Sequence, residues 1–570
     1  MIRSALRGAA LVAAAALLAG CDTELEVINP NSGDTRRVLG TPNDAENLLG
    51  SYYRRWHTGV YGSTANLEGM MNVMSLMNYS SLANNCQNAR APFAGAFNGN
   101  NPGNVCQGEQ YRLYNFMGEV NRVASSFLRQ MKPAADGGTD LNLGSPARNA
   151  RAKAYAEFLR GLAIGYTALM HDSVGIVTDA MTSEDPGSLV GYKAAFDSAS
   201  AAFDRAITFT NENAAGADGF PLPATWIPSN TSFSKAEFVK LIRSYRARLR
   251  ANLARTPAER AAVNWDAVIA DAEAGITADH QITTNTVTGP GNSWRSQYGV
   301  FALWHQMPPF YIGMADTSGS YAAWLATPLG DRGAGNVSFL MATPDQRFPQ
   351  GATRAAQQAD FQRQSCQAAS TVCKRYFENR QVGEDQNQGL GWGWSNYNHV
   401  RFFSWRTNGD GTQQNGNTPH MVKAEMDLLR AEGHFRKGNL PQAVALVNLS
   451  RVGTGKLPPI ELASATAPVP GGNACVPKVP SAPNFTTAAC GNLWEAIKYE
   501  VRIETAYTHF GAWFLPGRGW GELPEGTPTF WAVPYQDLQA RGKQLDELYG
   551  SGLGAGNAPN STAPKSVYGW

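Results

Sequence analysis

Met421-Val422-Lys423-Ala424-Glu425-Met426-Asp427-Leu428-Leu429-Arg430-Ala431-Glu432 contains neither glycine nor proline, and it sets Val422, Met426 and Leu429 on one helical face, at offsets of four and seven. Gly438-Asn439 ends that helix. Pro441 suits the first turn of another, where a missing N–H costs nothing. Ala443, Leu446, Val447 and Ser450 carry the second pattern to Arg451. Ala431 and Ala443 are small enough for the two helices to pack closely across the turn. The stretch predicts a helical hairpin.

Working outward, the same arrangement recurs. Ser145-Pro146 opens a helix over 147–171, and a returning helix follows over 189–211. A further pair is predicted over 235–253 and 265–276, and helices also over 45–57, 109–132 and 493–508. Paired helices of this kind are the unit of tetratricopeptide-like scaffolds, although no clean 34-residue period emerges. Between 280 and 418 the helical periodicity fades, and Gly, Pro, Asn, Thr and aromatic residues dominate. A connection of that length is functional or disordered, and its aromatic content argues against disorder. Residues 463–489 form a Pro/Ala-rich excursion, and 550–570 reads as a loose tail.

The chain has 570 residues, 43% of them hydrophobic, enough for one large core or two domains. Charged residues are 16%, against about 25% in an average globular protein, so the surface leans on amides, hydroxyls and glycine. Lys and Arg number 48 and Asp and Glu 46; without residues 1–20, which hold Arg3 and Arg7, the balance is 46 against 46. A neutral chain without basic clusters is poorly suited to nucleic acid, because phosphate neutralisation supplies most of that affinity.

Arg3 and Arg7 precede an apolar run over 9–19, the pattern of a signal peptide, 1–20, too short to span a membrane. Leu18-Ala19-Gly20-Cys21 reads as a lipobox, in which Cys21 is acylated and becomes the new N-terminus, with 21–40 as a lipidated tether. More than one acyl chain, palmitate among them, gives a stable anchor where one alone does not. Seven cysteines less Cys21 leave six, in local pairs: Cys86 with Cys106, Cys366 with Cys373, Cys475 with Cys490. Export permits disulfides, and no Cys-x-x-Cys or paired histidine suggests a metal instead, although spacing alone does not prove connectivity.

Five stretches together resemble the SusD/RagB family of nutrient-uptake lipoproteins. They are the lipobox with Asn29-Pro30-Asn31; residues 154–172; residues 234–276 with Asn264-Trp265; Leu428 through Gly438-Asn439 to Arg451; and Glu500-Val501-Arg502-Ile503-Glu504-Thr505-Ala506-Tyr507 through Trp513 to Arg518. Order and spacing agree from residue 21 to about 549. Phe514-Leu515-Pro516-Gly517-Arg518 departs from the family's usual Asp before the Arg, and 463–489 look inserted. The resemblance implies a mostly α fold in which about four tetratricopeptide-like helix pairs support an irregular ligand-facing part. On that reading 41–549 is a single domain, with scaffold at 41–276 and 419–518 and a loop-rich insertion at 280–418. It also implies an outer-membrane location and a partner, a TonB-dependent (SusC-like) β-barrel transporter. The implied role is capture and delivery of an oligomeric nutrient, usually a glycan, with no covalent chemistry and no cofactor.

Sugar capture needs flat apolar surfaces for ring faces and a few polar groups for hydroxyls. Trp294, Tyr298, Trp304, Tyr321 and Trp324 form one candidate cluster, and Trp392, Trp394 and Tyr397 another, with glycines at 389–393 admitting a ligand. The same aromatics could instead pack the irregular half against the helices. Glu500 and Glu504, with Arg502 and Arg518, raise acid–base chemistry, but i,i+4 carboxylates on a helix more often pair with arginines. A surface glycoside hydrolase or esterase on a helical scaffold is the alternative function, and a helical adaptor without a small ligand a third. Asn408-Gly409-Asp410-Gly411 lacks the terminal glutamate of a calcium loop and reads as a turn.

Overall fold

A computed structural model describes residues 41–62, 67–80, 100, 102–104, 106, 108–182, 185–212, 219–284, 305–332, 339–366, 373–381, 391–393, 395–403, 416–543 and 562–570. Two units are distinguished, Met1–Leu48 and Leu49–Trp570. Of the first, the described part is the start of helix α1 (Pro42–Tyr61), where the Asp44 N–H donates to Thr41 Oγ1 at 3.2 Å.

The second unit is mostly helical. After α1 come α2 (Leu67–Met74), α3 (Gly108–Gln130), α4 (Pro146–Met170), α5 (Tyr192–Glu212), α6 (Lys235–Asn252), α7 (Pro257–Ala261) and α8 (Trp265–Glu273). The insertion holds α9 (Pro309–Ile312), α10 (Ser320–Ala326) and α11 (Arg354–Asp360). Then follow α12 (Lys423–Arg436), α13 (Leu440–Gly453), α14 (Leu493–Thr505), α15 (Phe514–Trp520) and α16 (Tyr535–Ala540). Among the described residues none is long and apolar enough to cross a membrane.

Local chemistry starts these helices where the sequence places them. Ser145, Ser234, Asn264 and Asn492 each accept a hydrogen bond from the N–H three residues on, and Pro146 and Pro441 occupy first turns. Packing then runs in sequence: α3 on α4, α4 on α5, α5 on α6, α6 on α8, α8 on α12, and α12 on α13 and α14. Such stacking of neighbouring hairpins is how tetratricopeptide-like units bury a continuous core. At its centre, every residue of α4 from Ala154 to Met170 is buried. Gly161 and Gly165 make that possible, since a Cβ there would stand 2.6 Å from the Phe203 ring and 2.7 Å from Leu249.

Short strands serve as joints: β1 (Tyr79–Ser80), β2 (Ser173–Ile176), β3 (Ser188–Gly191), β4 (His280–Thr284), β5 (His305–Gln306), β6 (Phe377–Asn379), β7 (Tyr397–His399), β8 (Gly416–Met421), β9 (Lys478–Pro480) and β10 (Ala488–Cys490). β4 and β8 pair antiparallel from His280↔Met421 to Thr284↔Gly416. They form a neck that lets the insertion leave and re-enter between α8 and α12. Disulfides Cys366–Cys373 and Cys475–Cys490 close loops, and Cys106 is disulfide-bonded too, while Cys86 and Cys21 lie outside the described residues.

Buried ion pairs lock the two sides of the neck. Arg248 on α6 forks onto Glu425 of α12 at 2.7 and 2.6 Å, and Arg260 on α7 onto Glu432 at 2.9 and 2.7 Å. Burial pushes the Glu432 carboxyl up, but Arg260 and Arg436 outweigh it and hold it at about 2.

The expectation of a loose tail over 550–570 is corrected where the chain is described. Tyr568 and Trp570 are buried; Lys498 donates to the Tyr568 hydroxyl at 2.7 Å, and the Trp570 ring meets Phe310 at 5.1 Å and Tyr311 at 5.6 Å. Two large aromatic rings supply apolar area that a Gly/Asn/Pro-rich composition conceals.

Three buried histidines weaken the fold towards acid, and Asp172, which burial raises to about 7, partly offsets them over the same window. Desolvation, aided by Arg255, Arg248 and Arg401 respectively, lowers His171 to about 4 and His280 and His399 to about 3. Their ordinary value is 6.5, so below it the unfolded chain binds more protons than the folded one and stability falls with pH. Each histidine should cost about 2 kcal/mol by pH 5. Thermal melts between pH 7.5 and 5 should therefore show a steep drop; a flat profile across that window would contradict the burial of these rings.

Candidate functional site

The insertion is organised on a small strand junction. β1 pairs with β5 (Tyr79↔Gln306, Ser80↔His305) and β6 with β7 (Phe377↔His399 to Asn379↔Tyr397), both antiparallel. Met307 N–H donates to Tyr397 O at 3.1 Å, and Ser395 N–H to Gln306 Oε1 at 2.8 Å, which joins the two pairs. Arg380 N–H donates to Asn396 O at 2.7 Å. The antiparallel registers have a topological consequence. The end of β1 lies beside the start of β5, and the end of β6 beside the start of β7. Ser80 and His305 thus share one end of the first pair, and Asn379 and Tyr397 one end of the second. Trp304 immediately precedes His305 and Trp394 immediately precedes Ser395.

Gln357 holds the junction with every polar atom of its side chain bonded. Gln357 donates to Met341 O at 2.7 Å and Gly351 O at 2.9 Å, and its Oε1 accepts from Asn379 at 2.9 Å and from the Tyr397 hydroxyl at 2.8 Å. A buried amide with four partners fixes register and rotamer together.

The candidate ligand-facing aromatics divide in two. Trp294, Tyr298, Trp304 and Trp394 lie outside the described residues. Tyr321, Trp324, Trp392 and Tyr397 are corrected from ligand-facing to core, at 1%, 2%, 5% and 0% exposure. Trp324 meets Phe310 edge-on at 4.8 Å and carries the Arg332 guanidinium at 4.2 Å. Trp392 packs edge-on against Tyr79 at 4.9 Å, and Tyr321 bonds to Phe310 O. Gly393 also does a different job from the one expected, for a Cβ there would fall 2.4 Å from the Tyr79 ring. The close approach it permits is by the chain's own tyrosine.

The paired carboxylates are structural. Glu500 and Glu504 on α14 are 0% and 1% exposed and both bind Arg347 of the insertion, at 2.6 and 3.2 Å. Ser450 donates to both, Thr454 and Arg401 to Glu504, and Asp345 holds the far edge of Arg347 at 2.9 and 2.7 Å. Burial raises the Glu500 carboxyl against the pull of Arg347; for Glu504 burial is outweighed by Arg401 and Arg347, which lower it. The network ties the insertion to α13 and α14. Its hub, Arg347, sits in an irregular Pro344-Asp345-Gln346-Arg347 run with no sequence signal to mark it. Arg502 pairs with Glu522, and Arg518 caps the end of α6 by donating to Asn252 O at 2.9 Å. Among the described residues no group of three or more His, Cys, Asp or Glu side chains is placed to hold a metal, and 408–411 lie outside them.

With this geometry in hand the chain can be compared with known proteins. No family model matches it, and no curated protein matches it. Among solved structures it is similar to a SusD homolog from Parabacteroides distasonis, at 12% identity and a TM-score of 0.51, over 91% of this chain and 97% of that one. It is likewise similar to a SusD superfamily protein from Bacteroides vulgatus, at 12% identity and a TM-score of 0.51, over 89% and 98% of the two chains. The class is a mostly α protein with tetratricopeptide-like hairpins supporting an irregular part. Within that class, the chain has a SusD-like fold.

Trp324→Ala separates core from ligand surface. As a core ring its loss should cost about 3–5 kcal/mol, read as a fall in urea midpoint. A loss of ligand binding at unchanged stability would instead return Trp324 to the surface.

Proposed function

We propose that the chain captures an oligomeric nutrient, with a glycan the leading candidate, and hands it to a TonB-dependent outer-membrane transporter. The observation that carries this reading is that Trp304 and Trp394 directly precede His305 and Ser395, which the strand junction holds through β5. Aromatics borne on segments rooted together can present several ring faces to one sugar chain, while the buried junction beneath holds the roots still. Trp294, Tyr298, Trp304 and Trp394 are the proposed ligand contacts. The SusD-like fold and the lipobox at Cys21 support the same reading. Residues 1–20 are the proposed signal peptide, Cys21 the lipid attachment and 21–40 the tether to the outer membrane. The protein is proposed to bind without turnover.

The test is a pull-down of the acylated protein from detergent-solubilised outer membranes, followed by glycan-array binding of a form lacking Cys21. A β-barrel of transporter size is expected to co-elute in stoichiometric amount, and a glycan to bind and be recovered intact. Elution alone under mild detergent, or a glycan that is cleaved, contradicts the proposal and turns attention to the hydrolase alternative.

A further inference from the structure

A cleft of about 570 Å³ opens in the helical scaffold between the end of α3, the outer face of α4, α5 and the segment after β2. Its size falls in the range of small-molecule sites. It is lined by four cations, Lys132, Lys153, Arg160 and Arg205, and two carboxylates, Glu157 and Asp179. Leu128, Ile164, Ile176 and Phe209 add apolar lining. Nothing in the capture reading uses it.

The charges are unequally matched. Arg205 forks onto Glu157 at 2.8 and 3.0 Å, and Arg160 shares the same carboxylate at 3.1 and 3.3 Å. Lys132 takes Asp179 at 2.7 Å, leaving Arg160 3.9 Å from it. Lys153 faces no carboxylate among the described residues and stands 5.8 Å from the Phe209 ring. Arg160 is 5% exposed, and its Nε–H is buried without an acceptor. A donor left so is costly, and the remedy is an acceptor brought into the cleft. Burial lowers the Arg160 guanidinium below its ordinary range despite Glu157 and Asp179, and Arg205 adds to that lowering.

Lys153 and Arg160 are seven residues apart on α4, two turns along one face, and both line the cleft. We propose that this cleft binds a small carboxylate carried on an apolar body, one oxygen taken by Arg160 Nε and the other by Lys153 Nζ, the body lying on the Phe209 wall. An acid sugar, with its apolar ring face, and an alicyclic or aliphatic acid share this chemistry. None of the residues lining the cleft is among the proposed ligand contacts, and failure of the site leaves the capture reading intact.

Titration calorimetry of the purified protein at low salt tests it, with cyclohexanecarboxylate and glucuronate as probes and cyclohexanecarboxamide, acetate and sulfate as controls. At least one of the two probe acids should bind about tenfold or more tighter than the amide, acetate and sulfate, the scale of one charge-assisted hydrogen bond. Whichever acid binds tighter identifies the source. Lys153→Gln, a half-buried position without an ion pair, should weaken that binding by about tenfold at unchanged melting temperature, and Phe209→Ala should narrow the gap between the acid and acetate. Equal binding of acid and amide, sulfate as tight as the acids, no binding of either acid, or a Lys153→Gln protein that binds as before overturns the proposal.

Discussion

Arg248 and Arg260 reach across 177 and 172 residues of sequence to fork onto Glu425 and Glu432 of α12. All four side chains are buried, and a buried guanidinium stripped of water is tolerated only where a carboxylate meets it with good geometry. The rest of the architecture depends on that match. It fixes where the chain must return after the insertion, and the β4–β8 neck, the α13 hairpin and α14 all take position from α12. Arg347 repeats the device one layer further out, binding Glu500 and Glu504 so that the insertion is held to the scaffold by charge as well as by its aromatic core. Removing one partner of such a pair strands the other, a larger loss than the pair's net contribution.

The scaffold was legible because its signals are local. Ser145-Pro146, Asn264-Trp265 and Gly438-Asn439 bracket helices that form within a few residues of the boundaries their patterns imply. The stretch from Met421 to Glu432 was readable as a helix from its apolar offsets. What those offsets could not reveal is that Glu425 and Glu432, polar by type, face inward, since a buried ion pair depends on an arginine more than 170 positions away.

The insertion was legible only as a change of texture. Its aromatics carry no period, so neither face nor depth can be assigned to them, and composition treats a core ring and a sugar platform alike. Tyr321, Trp324, Trp392 and Tyr397 are core because Phe310, Tyr79, Arg332 and Gln357 come together around them, contacts that depend on the strand junction. Gly393 shows the same limit: glycine announces a close approach without saying what approaches. The C-terminal aromatics, Tyr568 and Trp570, were hidden by the residues before them.

These buried rings and the satisfied Gln357 make the junction a rigid base, and the capture reading assigns recognition to Trp294, Tyr298, Trp304 and Trp394. Tryptophan oxidation footprinting read by mass spectrometry, with and without a mixed oligosaccharide pool, addresses that division directly. The account predicts fast oxidation at Trp294, Trp304 and Trp394, slowed by the oligosaccharides, and slow oxidation at Trp324 and Trp392 under both conditions. Oxidation of Trp324 or Trp392 as fast as that of Trp394, or no protection at any of the first three, would contradict it.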